Sequence, residues 1–325
     1  MTKPILTICC LPNQDSFLAD LKHALSNFYT VRECVSGDLA THARAIQESD
    51  AVWIEWGNEL AVAITRHLAE LLRTKRVYLR IHSYEVLDDI CFGIDFTPVT
   101  DLVFVANHIR ELFLAKQHRP AGARIHTLPN CVNVRRFAST EPPDTREGIA
   151  LLATMNFKKD PMVALHAYAS YVHAGGSEKL YVAGGFQQIR YEIGFKNFLT
   201  KNNLDERVSL VGWIDNVSEW LASKRFILCS SLQEGHPVGL LEAMAAGVHP
   251  LIYSWYGAER IYPPQFLWTS MHEFCERALS TGPRPSPVQY VEDAFSMECL
   301  EIYTSLIVNA REDVDIFERC IRKYG

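Results

Sequence analysis

Glu234 and Glu242 lie eight residues apart, where an apolar run gives way to a helical pattern. Between them, Gly235 lets the backbone pass close to a ligand, and Pro237 precedes the first helical turn, where its missing amide donor costs nothing. The amides of residues 238–241 then remain available to an anion, which the helix dipole also attracts. We expect a diphosphate to bind there, and Glu242, one turn inside the helix, to accept hydrogen bonds from two ribose hydroxyls.

The alternative for both glutamates is an ordinary solvated carboxylate on a helix surface. Glu242, however, is embedded in the small and apolar segment 240–247, where a charge without a partner is costly. We therefore favour a functional partner for Glu242.

His82 follows an apolar run that is typical of a buried strand, so it falls at the carboxyl end of that strand. Ligands of parallel sheets bind at such ends. A histidine there can lie close to a ligand or can be a hydrogen-bonded structural residue, and the sequence leaves both readings open. Tyr84 and Glu85 follow directly and could contact the same ligand.

Short apolar runs rich in β-branched and aromatic residues alternate with longer stretches of helical periodicity, which predicts parallel sheets covered by helices. In the first part of the chain, the predicted strands are 5–10, 29–33, 51–55, 77–81, 102–106 and 124–128, and the helices are 14–27, 39–48, 59–73 and 108–117. In the second part, the strands are 149–154, 179–183, 208–211, 226–229 and 249–253, and the helices are 162–173, 191–202, 217–223 and 239–246. The chain ends in helical patterns at 288–295 and 297–324.

A polar segment with paired prolines at 139–148 predicts a linker between two domains. We expect an α/β domain at 1–140, a linker at 141–148, a second α/β domain at 149–285 and C-terminal helices at 286–325 that cross back to the first domain. The expected fold is two Rossmann-like, doubly wound domains facing each other across a cleft.

The composition is that of a soluble globular protein with about two domains. A formal net charge of -6 gives no reason to expect nucleic acid as the partner. Nine cysteines without a C-x-x-C pair indicate neither a disulfide framework nor a zinc site. The apolar run at 5–11 is too short to span a membrane and no signal cleavage site follows it, so we expect a cytoplasmic protein.

The segment 231–247, SLQEGHPVGLLEAMAAG, resembles the two-glutamate signature of the retaining, two-domain glycosyltransferases of group 1, the family 4-like GT-B kind. In that family the first glutamate lies near the transferred sugar and the second binds the nucleotide ribose, roles that the resemblance gives to Glu234 and Glu242. The donor site that it implies includes the residues between them: Gly235, His236, Pro237, Val238, Gly239, Leu240 and Leu241.

Other segments are similar to the family in the order that it requires. The stretch 128–137 resembles the end of the first domain, with Cys131 in place of a glycine. Gly184 and Gly185 end a strand that resembles the second strand of the donor domain, where glycines let the backbone approach the nucleotide. Trp213 follows the strand whose end contacts the base.

The family supplies an arginine and a lysine to the diphosphate after the first strand of the donor domain. Thr154 stands where that arginine would be, so the resemblance leaves Lys159, with Lys158 beside it, as the phosphate ligands. Relatives often have a histidine at the position of His82, near the sugar. They also carry a glycine-rich loop after the first strand, which residues 11–15 replace, so we expect an unusual acceptor pocket. The acceptor-side residues that the resemblance implies are Asn13, Tyr84 and Glu85.

The resemblance implies a hexosyltransferase of glycan biosynthesis that moves a sugar from a nucleotide-diphosphate sugar, UDP first and GDP second, to a hydroxyl of a glycan, lipid-linked or protein acceptor. It implies retention of configuration, with Glu234 and His82 positioning the sugar while the leaving phosphate helps to deprotonate the acceptor. The sequence contains no Asp-x-Asp or other metal-ligand spacing, so we expect no metal and no cofactor besides the substrate.

Two alternatives remain open. Thr154 and the missing glycine loop fit a catalytically weak homologue that binds a sugar or nucleotide or serves as a partner subunit. Separately, the basic amphipathic stretch 108–119 could lie on an anionic membrane at its inner face, although such a stretch is commonly just a solvated helix.

Overall fold

The structure is a computed structural model that describes residues 2–15, 18–138 and 145–321. It divides into two compact units. The first contains the described residues up to Cys131 together with Met297–Ile321, and the second spans Val132–Ser296. Of the predicted linker, residues 141–144 lie outside the described part of the chain.

The strands follow the predicted positions closely. They are β1 Ile5–Cys10, β2 Thr30–Val35, β3 Ala51–Glu55, β4 Arg76–Ile81, β5 Asp101–Phe104, β6 Arg124–Thr127, β7 Ile149–Leu152, β8 Leu180–Ala183, β9 Val208–Gly212, β10 Phe226–Cys229, β11 His249–Tyr253, β12 Leu267–Trp268 and β13 Val314–Asp315. Only the two-residue strands β12 and β13 were not predicted.

The helices alternate with the strands. They are α1 Leu18–Leu25, α2 Leu39–Gln47, α3 Glu59–His67, α4 Ala69–Leu72, α5 Ser83–Leu87, α6 Asn107–Lys116, α7 Val134–Phe137, α8 Pro161–His173, α9 Ile189–Lys201, α10 Val217–Ala222, α11 Val238–Ala245, α12 Met271–Leu279, α13 Pro287–Phe295 and α14 Met297–Val308. The predicted helix 59–73 is divided at Leu68, whose backbone angles (φ -115°, ψ 18°) leave the helical region.

Each unit is built on a parallel sheet, which confirms the α/β fold class. Within the described residues the first sheet has the strand order β2-β1-β3-β4-β5-β6-β13, and the second has the order β9-β8-β7-β10-β11-β12. The order reverses between β1 and β3 in the first sheet, and between β7 and β10 in the second. In doubly wound sheets, ligands bind outside the carboxyl ends of the strands at such a reversal.

The central strands are buried on both faces, as parallel strands covered by helices must be. In β3 every residue is buried, including the carboxylate of Glu55. A buried charge is costly unless it is paired and hydrogen-bonded. The neighbours of Glu55 are therefore central to the site in this unit.

The C-terminal segment returns to the first unit, as expected, but the single predicted helix 297–324 is wrong at residues 309–315, and its residues 322–324 lie outside the described part of the chain. After α14, which packs on α1, strand β13 pairs with β6. The amide of Val314 donates to Nδ1 of His126 at 3.1 Å, so a strand forms where helical periodicity was predicted. One π-helical turn, Phe317–Ile321, follows.

Asp101 fastens this returning segment to the sheet. Its buried carboxylate accepts hydrogen bonds from Arg76, Arg124 and Nε2 of His126, the last at 2.9 Å. Arg76 also donates to the carbonyl oxygen of Ile307 at the end of α14, 3.0 Å away. A single acid thus links β4, β5, β6 and α14.

Two segments near the predicted domain boundaries pack in the second unit. Residues 132–138 were assigned to the first domain, but α7 contacts α11 and α13, and the amide of Val132 donates to the carbonyl of Phe295 at 2.8 Å. Helix α13, predicted to belong to the returning helices, likewise packs on α11. In the described residues, no helix is long and apolar enough to cross a membrane.

Candidate functional site

The loops after β7 and β10 meet at the strand-order reversal of the second sheet. The Ser230 hydroxyl donates to the carbonyl oxygen of Lys159 at 2.8 Å, and the Leu232 amide donates to that of Lys158 at 2.9 Å. These bonds hold the loop that carries the lysines beside the loop that carries Glu234. The fold therefore brings together three of the predicted donor-site residues.

Glu234 is a nearly buried carboxylate, 4% exposed, between the two lysines. Lys159 Nζ donates to its Oε1, and Lys158 Nζ lies 3.3 Å from its Oε2. The Ser231 hydroxyl donates to Oε1 at 2.8 Å. The cationic pair and the acid thus form one cluster, in which the lysines already have an anionic partner.

The charges in this cluster hold each other ionised. Burial alone would raise the pKa of Glu234, but the nearby charges of Lys159 and Lys158 and the hydrogen bonds outweigh it, so the pKa lies below its ordinary value. Burial alone would lower the pKa of Lys159, and the charge of Glu234 raises it instead. An anion that enters this site therefore meets the ammonium group of Lys159, which the charge of Glu234 keeps protonated.

Helix α11 begins at Val238, one residue before the predicted range 239–246, with Pro237 as its N-cap residue. Proline offers no side-chain acceptor, and the first-turn amides of a helix have no intrahelical acceptor. Pro237, Val238 and Gly239 are partly exposed, whereas the side chains of Leu240 and Leu241 are buried. The amide of Leu241, predicted to be available to an anion, instead donates to the carbonyl oxygen of Pro237 at 3.4 Å, because Leu241 is already one turn into the helix.

Three more predicted donor residues flank this turn. His236 is buried, and its ring packs on Phe295 with the ring centroids 4.6 Å apart. Gly235 is buried beside it. Glu242 lies one turn inside α11 and is partly exposed, so its carboxylate is not sealed in the core.

The predicted glycine pair contains two different kinds of glycine. Gly184 has a left-handed φ of 110°, and a Cβ there would overlap the carbonyl oxygen of Ala153, so the fold itself requires glycine. A Cβ at Gly185 would meet no atom within 4 Å. Gly185 therefore borders open space, as a backbone contact to a ligand would need.

Two further positions lie at the same edge of the second sheet. Trp213 follows β9 and is 82% exposed, so its indole is open to a ligand. Thr154 follows β7 and is exposed where the family has an arginine. Positive charge in this loop therefore comes from Lys158 and Lys159.

In the first unit, His82 ends β4 and is held from two sides. Its Nε2 lies 2.7 Å from Oε1 of Glu55, and its ring stacks on Trp56 with centroids 3.8 Å apart. It also forms a capping box with Glu85 at the start of α5. These contacts favour the structural role among the two that the sequence leaves open, and a catalytic role stays a prediction.

Glu55 is the residue of this cluster that sequence reasoning missed. It accepts hydrogen bonds from Nε1 of Trp53 at 2.7 Å, from Arg80 at 3.3 Å and from His82. Burial would raise its pKa, but the charge of Arg80 and these hydrogen bonds lower it, so the carboxylate stays ionised. A glutamate that ends an otherwise apolar predicted strand was the available signal.

The residues predicted for the acceptor side, Glu85, Tyr84 and Asn13, lie near His82 and Trp56. Glu85 is buried and accepts from the amides of Gly57 at 2.9 Å and His82 at 3.2 Å, and burial raises its pKa. The ring of Tyr84 lies 5.7 Å from that of Trp56. Asn13 is exposed in the loop after β1, next to Gln14, whose carbonyl oxygen accepts from Nε1 of Trp56 at 2.9 Å.

The basic residues of α6 and the turn after it are engaged with acids of the same unit. Arg110 lies 2.8 Å from Asp315, Lys116 lies 2.5 Å from Asp89, and Arg119 pairs with Asp313. Partly neutralised cations attract an anionic surface less strongly.

In the described residues, no group of three or more His, Cys, Asp or Glu side chains could hold a metal ion.

Comparison with known proteins points to sugar transfer. Residues 146–264 match the family model described as glycosyl transferases group 1. A 168-residue stretch is 26% identical to the UDP-Gal:alpha-D-GlcNAc-diphosphoundecaprenol alpha-1,3-galactosyltransferase of Escherichia coli. That match covers 48% of this chain and 42% of the galactosyltransferase.

Solved structures resemble the chain over most of its length. Alr3699/HepE from Anabaena, in complex with UDP and glucose, has a TM-score of 0.69 at 10% identity, covering 94% of this chain and 99% of that one. The lipopolysaccharide outer core galactosyltransferase WaaB also has a TM-score of 0.69, at 13% identity, with the same coverage. At such identities the likeness establishes the fold alone.

Proposed function

The chain belongs to the group 1 glycosyltransferases of the two-domain GT-B kind, and on that premise we propose that it moves a hexose from a nucleotide-diphosphate sugar to a hydroxyl acceptor. The observation that carries this proposal is the cluster at the reversal of the second sheet. There Lys158 and Lys159 from one loop meet Glu234 from the other, beside the first turn of α11.

We assign the diphosphate to the first-turn amides of α11 and to Lys159, with Lys158 beside it. Aligned amide donors, the helix dipole and an ammonium group stabilise the negative charge that develops on the leaving diphosphate. Because these groups can supply that positive charge, the proposed mechanism needs no divalent metal. Glu242, partly exposed one turn further along, would accept from the ribose hydroxyls.

We propose UDP as the first nucleotide to test and GDP as the second. The name of the Escherichia coli relative specifies UDP-galactose, and structures of HepE hold UDP or UDP-glucose. The same relative acts on a sugar linked to diphosphoundecaprenol, so a lipid-linked glycan is the first acceptor to test. On this proposal the protein works in the cytoplasm, at the inner face of the membrane.

We further propose that configuration is retained. In this proposal the bond between sugar and diphosphate lies beside Glu234 and the two lysines, and the leaving phosphate helps to remove the acceptor proton on the same face of the sugar. Glu234 would then orient the sugar hydroxyls and not act as a metal ligand. Anomeric configuration of the product, read by NMR, tests this step directly.

A screen of UDP-, GDP-, dTDP- and ADP-sugars, read by hydrolysis and by thermal shift, tests the proposed function. We expect one donor class to be hydrolysed and to raise the unfolding temperature, and Glu242→Ala to weaken both effects. If a donor stabilises the protein but no sugar is released or transferred, the catalytically weak alternative suggested by Thr154 is favoured. If no nucleotide sugar shifts the melting curve and Glu242→Ala changes nothing, the proposal is wrong.

A further inference from the structure

A second cavity lies in the second unit, at the edge of the sheet opposite the candidate donor site. Its volume is about 920 Å³. Arg146 precedes β7, Arg225 precedes β10 and His249 begins β11, so the cavity borders the amino ends of these strands. Four strand residues at about 3.3 Å each separate it from the donor side by roughly 13 Å.

The lining of this cavity carries a surplus of positive charge. Among the residues that the structure describes, the lining contains the four arginines Arg135, Arg146, Arg225 and Arg284, against Glu178 and Glu292. Burial and then the charge of Arg225 lower the pKa of Arg284, so these two guanidinium groups repel each other. An anion that entered would relieve this repulsion.

Arg284 is the cation whose charge is least compensated. Its Nη2 donates to the carbonyl oxygens of Ala278 and Ser280, and its guanidinium lies 4.7 Å from the ring centroid of Phe226. Arg225, in contrast, pairs with Glu178 at 2.7 Å. In the part of the chain that the structure describes, no carboxylate pairs with Arg284.

A purely structural reading of Arg284 is that it caps the carboxyl end of α12, as cations often do. Capping uses only the Nη2 nitrogen of the Arg284 guanidinium. Among the described residues, the hydrogen bonds of Arg284 all come from Nη2, whereas a guanidinium has five N–H donors. Capping therefore leaves donors that match the two oxygens of a phosphate.

The segment that presents Arg284 is stiff. Pro283 and Pro285 flank it, and each proline fixes its own φ and restricts the residue before it. A guanidinium already held in place loses less conformational entropy when it binds. The proposed sugar transfer does not explain the proline-rich break at 281–287. Holding Arg284 in place for binding is a physical reason for these prolines.

We propose that this cavity binds a phosphate group, as inorganic phosphate or as a small phosphate ester, at a site separate from the donor site. Arg284 and Arg225 provide the accessible guanidinium groups. Arg146, which is buried and donates to the carbonyl of Ala246 at 2.7 Å, forms the floor. A volume of this size accommodates an ester of a small metabolite as well as the free ion.

Calorimetric titration of the full chain with inorganic phosphate tests the proposal. Arg284→Gln removes charge-assisted hydrogen bonds, so we expect it to weaken phosphate binding by about tenfold or more. Arg225→Gln, at a half-exposed position, should weaken binding in the same direction. Arg190→Gln, an exposed arginine on α9 outside the cavity, is the matched control and should bind as the wild type does.

The donor site also carries cations, so Lys158→Gln serves to separate the two sites. The proposal requires Lys158→Gln to retain the phosphate affinity that Arg284→Gln loses. It is overturned if the wild type shows no saturable binding, or if Lys158→Gln alone abolishes it. Thermal unfolding of every variant checks the fold, and tighter binding of glycerol 3-phosphate than of phosphate supports an ester as the ligand.

Discussion

The indole of Trp56 lies on the imidazole of His82, with the ring centroids 3.8 Å apart. Trp56 has a left-handed φ of 75°, a conformation that costs a bulky residue energy. Two contacts of Trp56 offset that cost: its stack on His82, and the hydrogen bond from the indole Nε1 of Trp56 to the carbonyl oxygen of Gln14. Strained residues of this kind cluster at functional sites, and this one lies at the strand-order reversal of its sheet.

Substitutions at Trp56 separate the backbone strain from the lost contacts. Trp56→Ala and Trp56→Gly both remove the stack, but only alanine keeps a Cβ at positive φ. We expect the glycine variant to be the more stable by about 0.5–1 kcal/mol in urea unfolding. Trp213, whose φ is not positive, is the control, and there alanine should be the more stable. The same order at both positions would contradict the strain.

Removing the charge of Glu55 should destabilise the first unit strongly. Glu55→Gln leaves the buried guanidinium of Arg80 without its ionic partner, and breaking a buried pair in this way costs about 3–5 kcal/mol. The matched control is Glu48→Gln, whose partner Arg32 is exposed, and it should cost under about 1 kcal/mol. Equal losses for the two variants in chemical denaturation would show that Glu55 is not paired as described.

Neutralising Glu234 should affect binding and transfer in opposite directions. In Glu234→Gln, Lys158 and Lys159 no longer have the carboxylate that a diphosphate must compete with, so we expect UDP to bind about tenfold more tightly. Transfer should fall, because Glu234 no longer orients the sugar. Ser231→Ala, which removes one hydrogen bond and no charge, is the control for calorimetry. Weaker binding of UDP to Glu234→Gln would exclude the lysines as its ligands.

His249 should make stability depend on pH in the acidic range. Burial and the charge of Arg284 lower its pKa to about 4, below the ordinary value of 6.5. The unfolded chain therefore binds this proton more readily than the folded one, and stability falls as the pH drops from 6.5 towards 4. The loss from this residue amounts to about 3 kcal/mol. His249→Gln should lose less stability over the same range, and an unchanged pH profile would refute the assignment.

The sequence is informative where hydrophobic patterns are long. Strands such as β1 and β10 lie where the apolar runs predict them. Helix α11 begins directly after Pro237, because proline has no amide hydrogen and disfavours a helical conformation in the residue before it. The short strands β12 and β13 have two residues each, too few for any periodicity, so only pairing with β11 and β6 defines them. Tertiary contacts decide such elements.

The cluster around His82 could be predicted only in part. The position of His82 at the end of β4 follows from the apolar run before it. Glu55 ends a different strand, and only the parallel register, which sets Glu55 opposite Arg80, brings the two together. The left-handed backbone of Trp56 has no signature in the sequence, because such a conformation normally belongs to glycine or asparagine.

The return of α14 and β13 to the first unit makes the second unit an internal insert, Val132–Ser296, whose two ends both continue into the first. Amide-to-carbonyl bonding between Val132 and Phe295 places those ends side by side. Chimeras that exchange nucleotide-sugar preference with a relative should therefore transplant one continuous cassette between two neighbouring junctions. Exchanging front and back halves would instead pair β6 of the recipient sheet with the last strand of the relative.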